Sequence, residues 1–471
     1  MDRLRPFAFA SAPTAAPAIP GMKFSELIGS LSHALDLTEG QPKGHCLRVC
    51  WIGMHIGMEI GLNVPALREL YYVLLLKDLG CSSNAARICE LYLTDDLAFK
   101  RDFKTVGEGL PQVLRFVFGH TGLNAGLAGR LRSLVNILRN GKQITDELIR
   151  TRCTRGADIA RQLRFSEGVA AGIAGLDEHW DGSGRPDSVS GSAIPLYARI
   201  ALLAQVVDVF HTVGGRAAAL QEARQRSGSW FQPDLVRTLE KVAESHGFWA
   251  TLSSAEVEAA VFAMDPGSGG VVLDDDYLDD IAAAFGQIVD SKSPFTSGHS
   301  ARVAQYVDAI ARRVGLSDAR CRWLRRGALL HDVGKLGVSN AVLDKPGKLD
   351  DAEWASVRLH AAHTEAILSR IDAFAELALV AGAHHERLDG AGYPRGLSGD
   401  QITLETRIIT TADIFDAISA DRPYRAAVPI SETLEIMAAT VGTAIDPLCF
   451  EALREVVAAQ CAPTAGRVGM A

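Results

Sequence analysis

The sequence predicts an all-α protein built from two tandem copies of one helical unit. From Lys23 onward, apolar residues recur at helical spacing and alternating strand-like runs are scarce. Motifs also repeat in order. Gly44-His45-Cys46-Leu47-Arg48-Val49 echoes Gly298-His299-Ser300-Ala301-Arg302-Val303, and Leu75-Leu76-Lys77-Asp78-Leu79-Gly80 echoes Leu329-Leu330-His331-Asp332-Val333-Gly334. Both pairs stand 254 residues apart (299 − 45 and 331 − 77). Further on, the stretch 181–186 echoes 389–394, and Arg199-Ile200 echoes Arg407-Ile408, both at an offset of 208. Four echoes with only two offsets point to an internal duplication. The first copy then holds about 46 extra residues (254 − 208), placed near 92–140.

In chain order, residues 1–22 form an Ala/Pro-rich arm in which Pro6, Pro13, Pro17 and Pro20 break every apolar run, so disorder is expected. The first helical unit is placed at 23–264. Asp265-Pro266-Gly267-Ser268-Gly269-Gly270 interrupts the helical pattern and marks the boundary, and the second unit is placed at 265–471. A chain of 471 residues is long enough for each unit to bury its own core. The net charge of −8 gives no overall footprint for a nucleic-acid polymer or an anionic membrane. The eight cysteines form no C-x-x-C pair and read as reduced thiols, and no apolar run approaches the ~18 residues of a membrane span. A cytoplasmic protein is expected, with an oligomer possible.

The chemistry is concentrated in the second copy, in His299, His331, Asp332, His360, His384, His385 and Asp413. Adjacent helical residues diverge by about 100°, so His331 and Asp332 can face one pocket only where a helix ends, and Gly334 supplies an ending. Ser317 is suited to cap a helix placing Cys321, Leu324, Ala328 and His331 on one face. Asp350 and Glu353 have capping-box spacing ahead of a helix on which Trp354, Val357 and His360 share a side. Ile409, Asp413, Asp416 and Ala420 line up on another. Unpartnered buried imidazoles and carboxylates are costly, and a divalent metal is a suitable partner. Five imidazoles and two carboxylates exceed one tetrahedral zinc site. They suit two octahedral ions sharing a carboxylate, iron or manganese before zinc.

From about Asp290 to Phe450 the second copy resembles the HD-GYP family of metal-dependent phosphodiesterases, a subset of the HD phosphohydrolases. The matching words are GHSARV (298–303), LLHDVGK (329–335), LDKPGKLDDAEW (343–354), HHERLDGAGYPRGL (384–397), RIITTADIFDAI (407–418), DRPYR (421–425) and IDP (445–447). The resemblance implies two tandem HD-type helical domains and hydrolysis of cyclic di-GMP at a metal centre. It assigns the same seven residues as metal ligands, Lys335, Arg422 and Arg425 as substrate-phosphate contacts, and Gly392-Tyr393-Pro394 as the GYP loop. Asp332 and Lys335 are the expected catalytic residues, and Tyr393 an expected substrate contact. Phe295 stands where three-metal members have glutamate, which argues for two ions. Ser293 and Ser339 replace a frequent Asp and a frequent Pro.

Under the two offsets the first copy keeps His45 and Asp78, but has Lys77, Arg152, Leu176, Asp177 and Gln205 at the other five ligand positions. It cannot hold two metals and is expected to be regulatory or structural, with Lys77 and Arg152 replacing the ions electrostatically. A second reading keeps the metal and changes the substrate to another cyclic dinucleotide or a nucleotide. A third makes the chain a scaffold that recruits a diguanylate cyclase through the GYP loop, which the intact ligand set disfavours. The cluster Arg312, Arg313, Arg320, Arg322, Arg325 and Arg326 reads as solvated helix surface.

Overall fold

The computed structural model describes residues 24–106, 110–122, 126–267, 273–422 and 425–461. The arm at 1–22 and residues 268–270 of the expected linker lie outside these. The described residues form helices joined by short turns, with isolated bridges but no strand.

The duplication is visible at matching helix starts. His45–Glu59 and His299–Arg313 each follow a glycine at positive φ, Gly44 at 84° and Gly298 at 69°. That conformation turns the chain sharply into the helix and suits a residue without Cβ. An aspartate then meets the exposed N–H groups. Asp36 accepts from Gly44 N and Cys46 N at 2.7 and 2.8 Å, and Asp290 accepts from Ser300 N at 3.1 Å and Ser300 Oγ at 2.7 Å. Negative charge at a helix N-terminus is favourable, and the two aspartates keep the offset of 254 (290 − 36).

The extra residues of the first copy form Asp96–Phe103, Leu110–His120 and the N-terminal half of the long helix Leu127–Gln162. They close over a small apolar cluster of their own that includes Phe99, Phe116, Leu134 and Ile137. The main core behaves differently. The sequence suggested one core per copy, whereas a single cluster runs beneath both, from Leu31, Leu74 and Phe231 to Phe285, Leu324 and Ile409. Helix Phe24–Thr38 is the reason. It is buried nearly all round, with Phe24, Leu27, Ile28, Leu31 and Leu35 in the core, and it packs on the turn Val333–Gly337 and the helix Asp351–Leu368 of the other copy. Phe24 stacks on Tyr277 with centroids 5.5 Å apart, and the Tyr277 hydroxyl donates to Leu163 O at 2.7 Å.

Two surface readings change. Arg320 and Arg326 are buried rather than solvated. Arg320 donates to Glu405 at 2.8 Å and lies 3.7 Å above the Trp323 ring, while Arg326 pairs with Asp279 and Asp275. The other four arginines of that cluster are ion-paired as well. The helix Leu196–Gln225 is long and apolar enough to cross a membrane, but 61% of the qualifying window is buried inside the protein. Its Asp208 is buried and bonds His45 and Arg48, which marks a core helix.

Candidate metal centre

Five segments deliver the seven predicted ligands. His299 opens His299–Arg313, and Asp413 lies within Leu404–Ser419. His331 terminates the helix Asp318–Leu330, which Ser317 caps as expected by accepting from Arg320 N. The chain leaves helical geometry at Asp332 and turns into Val333–Gly337, so the adjacent imidazole and carboxylate face one space. His360 lies on Asp351–Leu368, whose start carries the predicted capping box, with Asp350 and Glu353 bonded reciprocally at 2.9 and 2.8 Å. His384 and His385 follow the short helix Ala375–Gly382.

Asp332 is the centre of the arrangement. Its Oδ2 lies 3.4 Å from His299 Nε2 and 3.3 Å from His331 Nε2, and its Oδ1 lies 3.5 Å from His360 Nε2 and 3.7 Å from His384 Nε2. Asp413 Oδ1 closes the first side, 3.4 Å from His299 Nε2 and 3.7 Å from His331 Nε2. His385 joins His360 and His384 on the second, and ligand atoms of these three lie within 4.8 Å of one another. Atoms bonded to one ion at about 2.1 Å stand roughly 3.0–3.4 Å apart, so the spacing is close to that of two adjacent coordination spheres sharing one carboxylate.

The rings are oriented before any ion arrives. His331 Nδ1 donates to Ala328 O at 2.6 Å, His360 Nδ1 to Val357 O at 2.5 Å and His384 Nδ1 to Ala381 O at 2.6 Å. A proton fixed on Nδ1 leaves Nε2 with the lone pair a metal needs. His299 Nδ1 instead meets Asp416 Oδ2 at 2.7 Å, and Arg302 holds Asp416 with two bonds of 2.6 and 3.0 Å.

The electrostatics fit the same occupant. Burial pushes His360 down to about 3 and His385 to about 4, so both are neutral donors at pH 7. Burial opposes charge on Asp332 and Asp413 too, yet His331 and His299, both raised above the ordinary imidazole value by these carboxylates, with Lys335 beside Asp332, hold both carboxyls well below the usual range. His299 Nε2, His331 Nε2 and Asp332 Oδ1 are buried without a hydrogen-bond partner among the described residues. Each such atom costs roughly 1–3 kcal/mol, and divalent cations between them remove that cost. The donor set therefore fits a metal pair.

Around the centre, Lys335 Nζ lies 2.5 Å from Asp332 Oδ2. The Tyr393 ring lies 4.7 Å from that of His385 and 6.3 Å from that of His360. Arg422 and Arg425, the expected phosphate contacts, bond the backbone nearby. Arg422 Nε donates to Ala417 O at 3.3 Å, and Arg425 donates to Ile418 O and Ala417 O at 2.6 Å, holding the last carbonyls of Leu404–Ser419. Four residues around the site were not singled out from sequence. Asp416 and Arg302 orient His299. Arg358 lies 5.6 Å over the Tyr393 ring. Glu386 is buried and accepts from Arg395 N and Leu397 N at 2.7 and 2.8 Å, which fixes the GYP loop. Asp416 stands three residues after Asp413 on the same helix face, which was the available signal.

In the first copy the same place is filled by charge. His45 Nδ1 still meets Asp208 at 2.7 Å, but its Nε2 faces Lys77 Nζ at 3.1 Å, and Lys77 pairs with Asp78. Arg152 pairs with Asp177. Glu39, Asp78 and Cys81 lie close enough to hold an ion, but Lys104 sits 2.6 Å from Glu39 and Lys77 already neutralises Asp78.

The HD domain family matches residues 123–235 and 284–448. A 3'3'-cGAMP-specific phosphodiesterase 3 of Vibrio cholerae is 59% identical over 431 residues, covering 92% of this chain and 94% of that protein. The cyclic di-GMP phosphodiesterase response regulator RpfG of Xanthomonas campestris is 39% identical over 160 residues, covering 34% of this chain and 42% of that protein. A crystal structure of a cyclic GMP-AMP specific phosphodiesterase of V. cholerae aligns with TM-score 0.65 at 52% identity, covering 94% of this chain and 98% of that one. By the family match over more than half its length and by these relatives, the chain belongs to the HD domain family, in the HD-GYP branch.

Proposed function

We propose that the chain is a metal-dependent phosphodiesterase that opens a cyclic dinucleotide, with 3'3'-cGAMP preferred over cyclic di-GMP. The observation behind the activity is Asp332, whose two oxygens face two separate imidazole pairs in a buried, pre-oriented pocket. The preference rests on relatives. The 59% identical protein named for 3'3'-cGAMP matches nearly the whole chain, whereas the 39% identical cyclic di-GMP relative matches a third of it.

The seven residues would hold two divalent ions, iron or manganese by the absence of thiolate, which when bound would supply Lewis acidity to the phosphodiester and to an attacking water. The remaining work falls to the chain itself. Lys335 stands beside Asp332 and neutralises charge that grows on the non-bridging phosphate oxygens. Burial, with the Asp332 and Asp413 charges, pushes the Tyr393 hydroxyl above its ordinary pKa, so it stays protonated and can donate to a phosphate oxygen. Arg358, against Tyr393, adds a cation at the rim. Arg422 and Arg425 are the expected phosphate contacts, Arg422 holding Ala417 O through Nε and Arg425 holding Ile418 O and Ala417 O through its terminal nitrogens.

The test is turnover by the full chain, loaded with manganese or iron, of 3'3'-cGAMP, cyclic di-GMP and cyclic di-AMP, beside an Asp332→Ala variant. The expected kcat/KM for 3'3'-cGAMP exceeds that for cyclic di-GMP by about tenfold or more, and the variant is inactive on all three. Equal or faster cyclic di-GMP turnover overturns the preference, and an active variant overturns the site.

A further inference from the structure

We propose that Asp96, contributed by the metal-less first copy, is a positioning residue for the metal centre of the second. The proposal rests on the reading that this centre is catalytic, and it gives the extra residues of the first copy a task.

Asp96 begins the helix Asp96–Phe103, in the stretch that the second copy lacks. The preceding Asp95 caps that helix, accepting from Leu97 N and Ala98 N at 2.8 and 3.2 Å. Asp96 is therefore not needed as a cap, and its carboxylate is fully buried across the seam between the copies. There Oδ1 accepts from Asn340 N at 2.8 Å and from Ser339 Oγ at 3.2 Å, with Cys89 Sγ at 3.7 Å. Oδ2 stands between two ammonium groups, 3.6 Å from Lys292 Nζ and 3.9 Å from Lys100 Nζ.

These partners border the ligands on both sides. Lys292 lies on the segment leading into His299. It is 1% exposed and donates to Leu336 O at 3.3 Å, inside the turn that follows Asp332 and carries Lys335. Asn340 ties the two segments together, its Nδ2 donating to Lys292 O at 2.7 Å. One carboxylate from the first copy thus fixes the approach to His299 and the exit from the His331–Asp332 turn. Ser339, a departure from the family pattern, is one of its donors.

A buried carboxylate facing two buried lysines is costly to assemble and far more costly to leave half made. Ligands of a metal pair must also be held within about 0.5 Å of the productive geometry. Without Asp96, Lys292 loses the carboxylate 3.6 Å from its ammonium, Lys100 is left with Glu39 at 4.0 Å, and the 336–340 segment loses its anchor. The turn bearing Asp332 and Lys335 is then free to shift.

The experiment uses the full chain with Asp96→Asn, the milder Ser339→Ala, and Ile137→Ala as a control that destabilises the small cluster of the first copy. Three quantities are measured well below each melting temperature: manganese affinity by calorimetry, kcat and KM, and amide hydrogen exchange over 291–299 and 333–343. Asp96→Asn is expected to weaken metal binding and lower kcat at least tenfold with KM within threefold, and to speed exchange in both segments. Ser339→Ala should move the same readouts two- to fivefold, and Ile137→Ala should move only the melting temperature. Unchanged affinity and exchange in Asp96→Asn overturn the proposal, as does an equal effect of Ile137→Ala. If wild-type protein turns over no cyclic dinucleotide, the proposed function fails, while exchange and metal affinity still decide the role of Asp96.

Discussion

At the scale of single residues, the division of labour is between atoms that would touch an ion and atoms that aim them. Asp416 belongs to the second kind: it fixes the His299 ring from behind and is itself fixed by Arg302. Asp416→Asn keeps the shape and removes the charge, so manganese affinity should fall roughly 10–100-fold with helicity unchanged. Calorimetry with circular dichroism checks this, and an affinity equal to wild type would refute the orienting role. The sequence showed the ligands more clearly than their supports. Seven candidate metal ligands stand out because polar residues on apolar helix faces demand an explanation. Asp416 lies on the same face as Asp413, and i, i+3 spacing does not separate a ligand from the residue that steadies one. The backbone bonds of Arg422 and Arg425 were less legible, because spacing does not fix where a long side chain in a loop points.

At the scale of elements, the centre depends on how closely the turn Val333–Gly337 crosses the helix Asp351–Leu368. A Cβ on Gly334 would stand 2.0 Å from His360 O, and in the first copy a Cβ on Gly80 would stand 1.9 Å from Arg152 O. Gly334→Ala must therefore push the His331–Asp332 turn away from His360, at a cost of about 1–3 kcal/mol. A lower melting temperature together with weaker metal binding is the expected pair of observations. Unaltered metal binding would show that the crossing distance is unimportant. From spacing alone, Gly334 reads as the end of a helix. That helix ends at Leu330, and the glycine is required for close approach. Starts were easier to read than ends, since Ser317 and the Asp350/Glu353 box announce themselves through local hydrogen-bonding chemistry.

At the scale of the whole molecule, one fold is kept around two different fillings. Lys77→Met in the first copy would leave Asp78 buried without its cation and should cost about 3–5 kcal/mol in a denaturant titration, whereas replacing Lys77 and Asp78 together by Met and Leu should cost much less. Equal losses would mean that the pair is not a unit. The seam between the copies should respond to acid. Bonds from His33 and then Arg370 hold the Glu258 carboxyl at about 2, against an ordinary 4.5. Its folded pKa is depressed, so its contribution is complete above about pH 4.5 and is lost as pH falls toward 2. The melting temperature should drop over that window, and Glu258→Gln should flatten the drop. The repeat was legible because motif offsets survive divergence. The shared interior was not, because apolar periodicity shows that a helix buries a face without showing which neighbour covers it. Since that interior continues from Leu31 to Ile409, cutting the chain near residue 265 would strand two greasy half-interfaces, and unfolding of the intact chain should be one cooperative event. A twin joined in this way is not dispensable baggage, and whatever loosens one half is felt at once by its sibling.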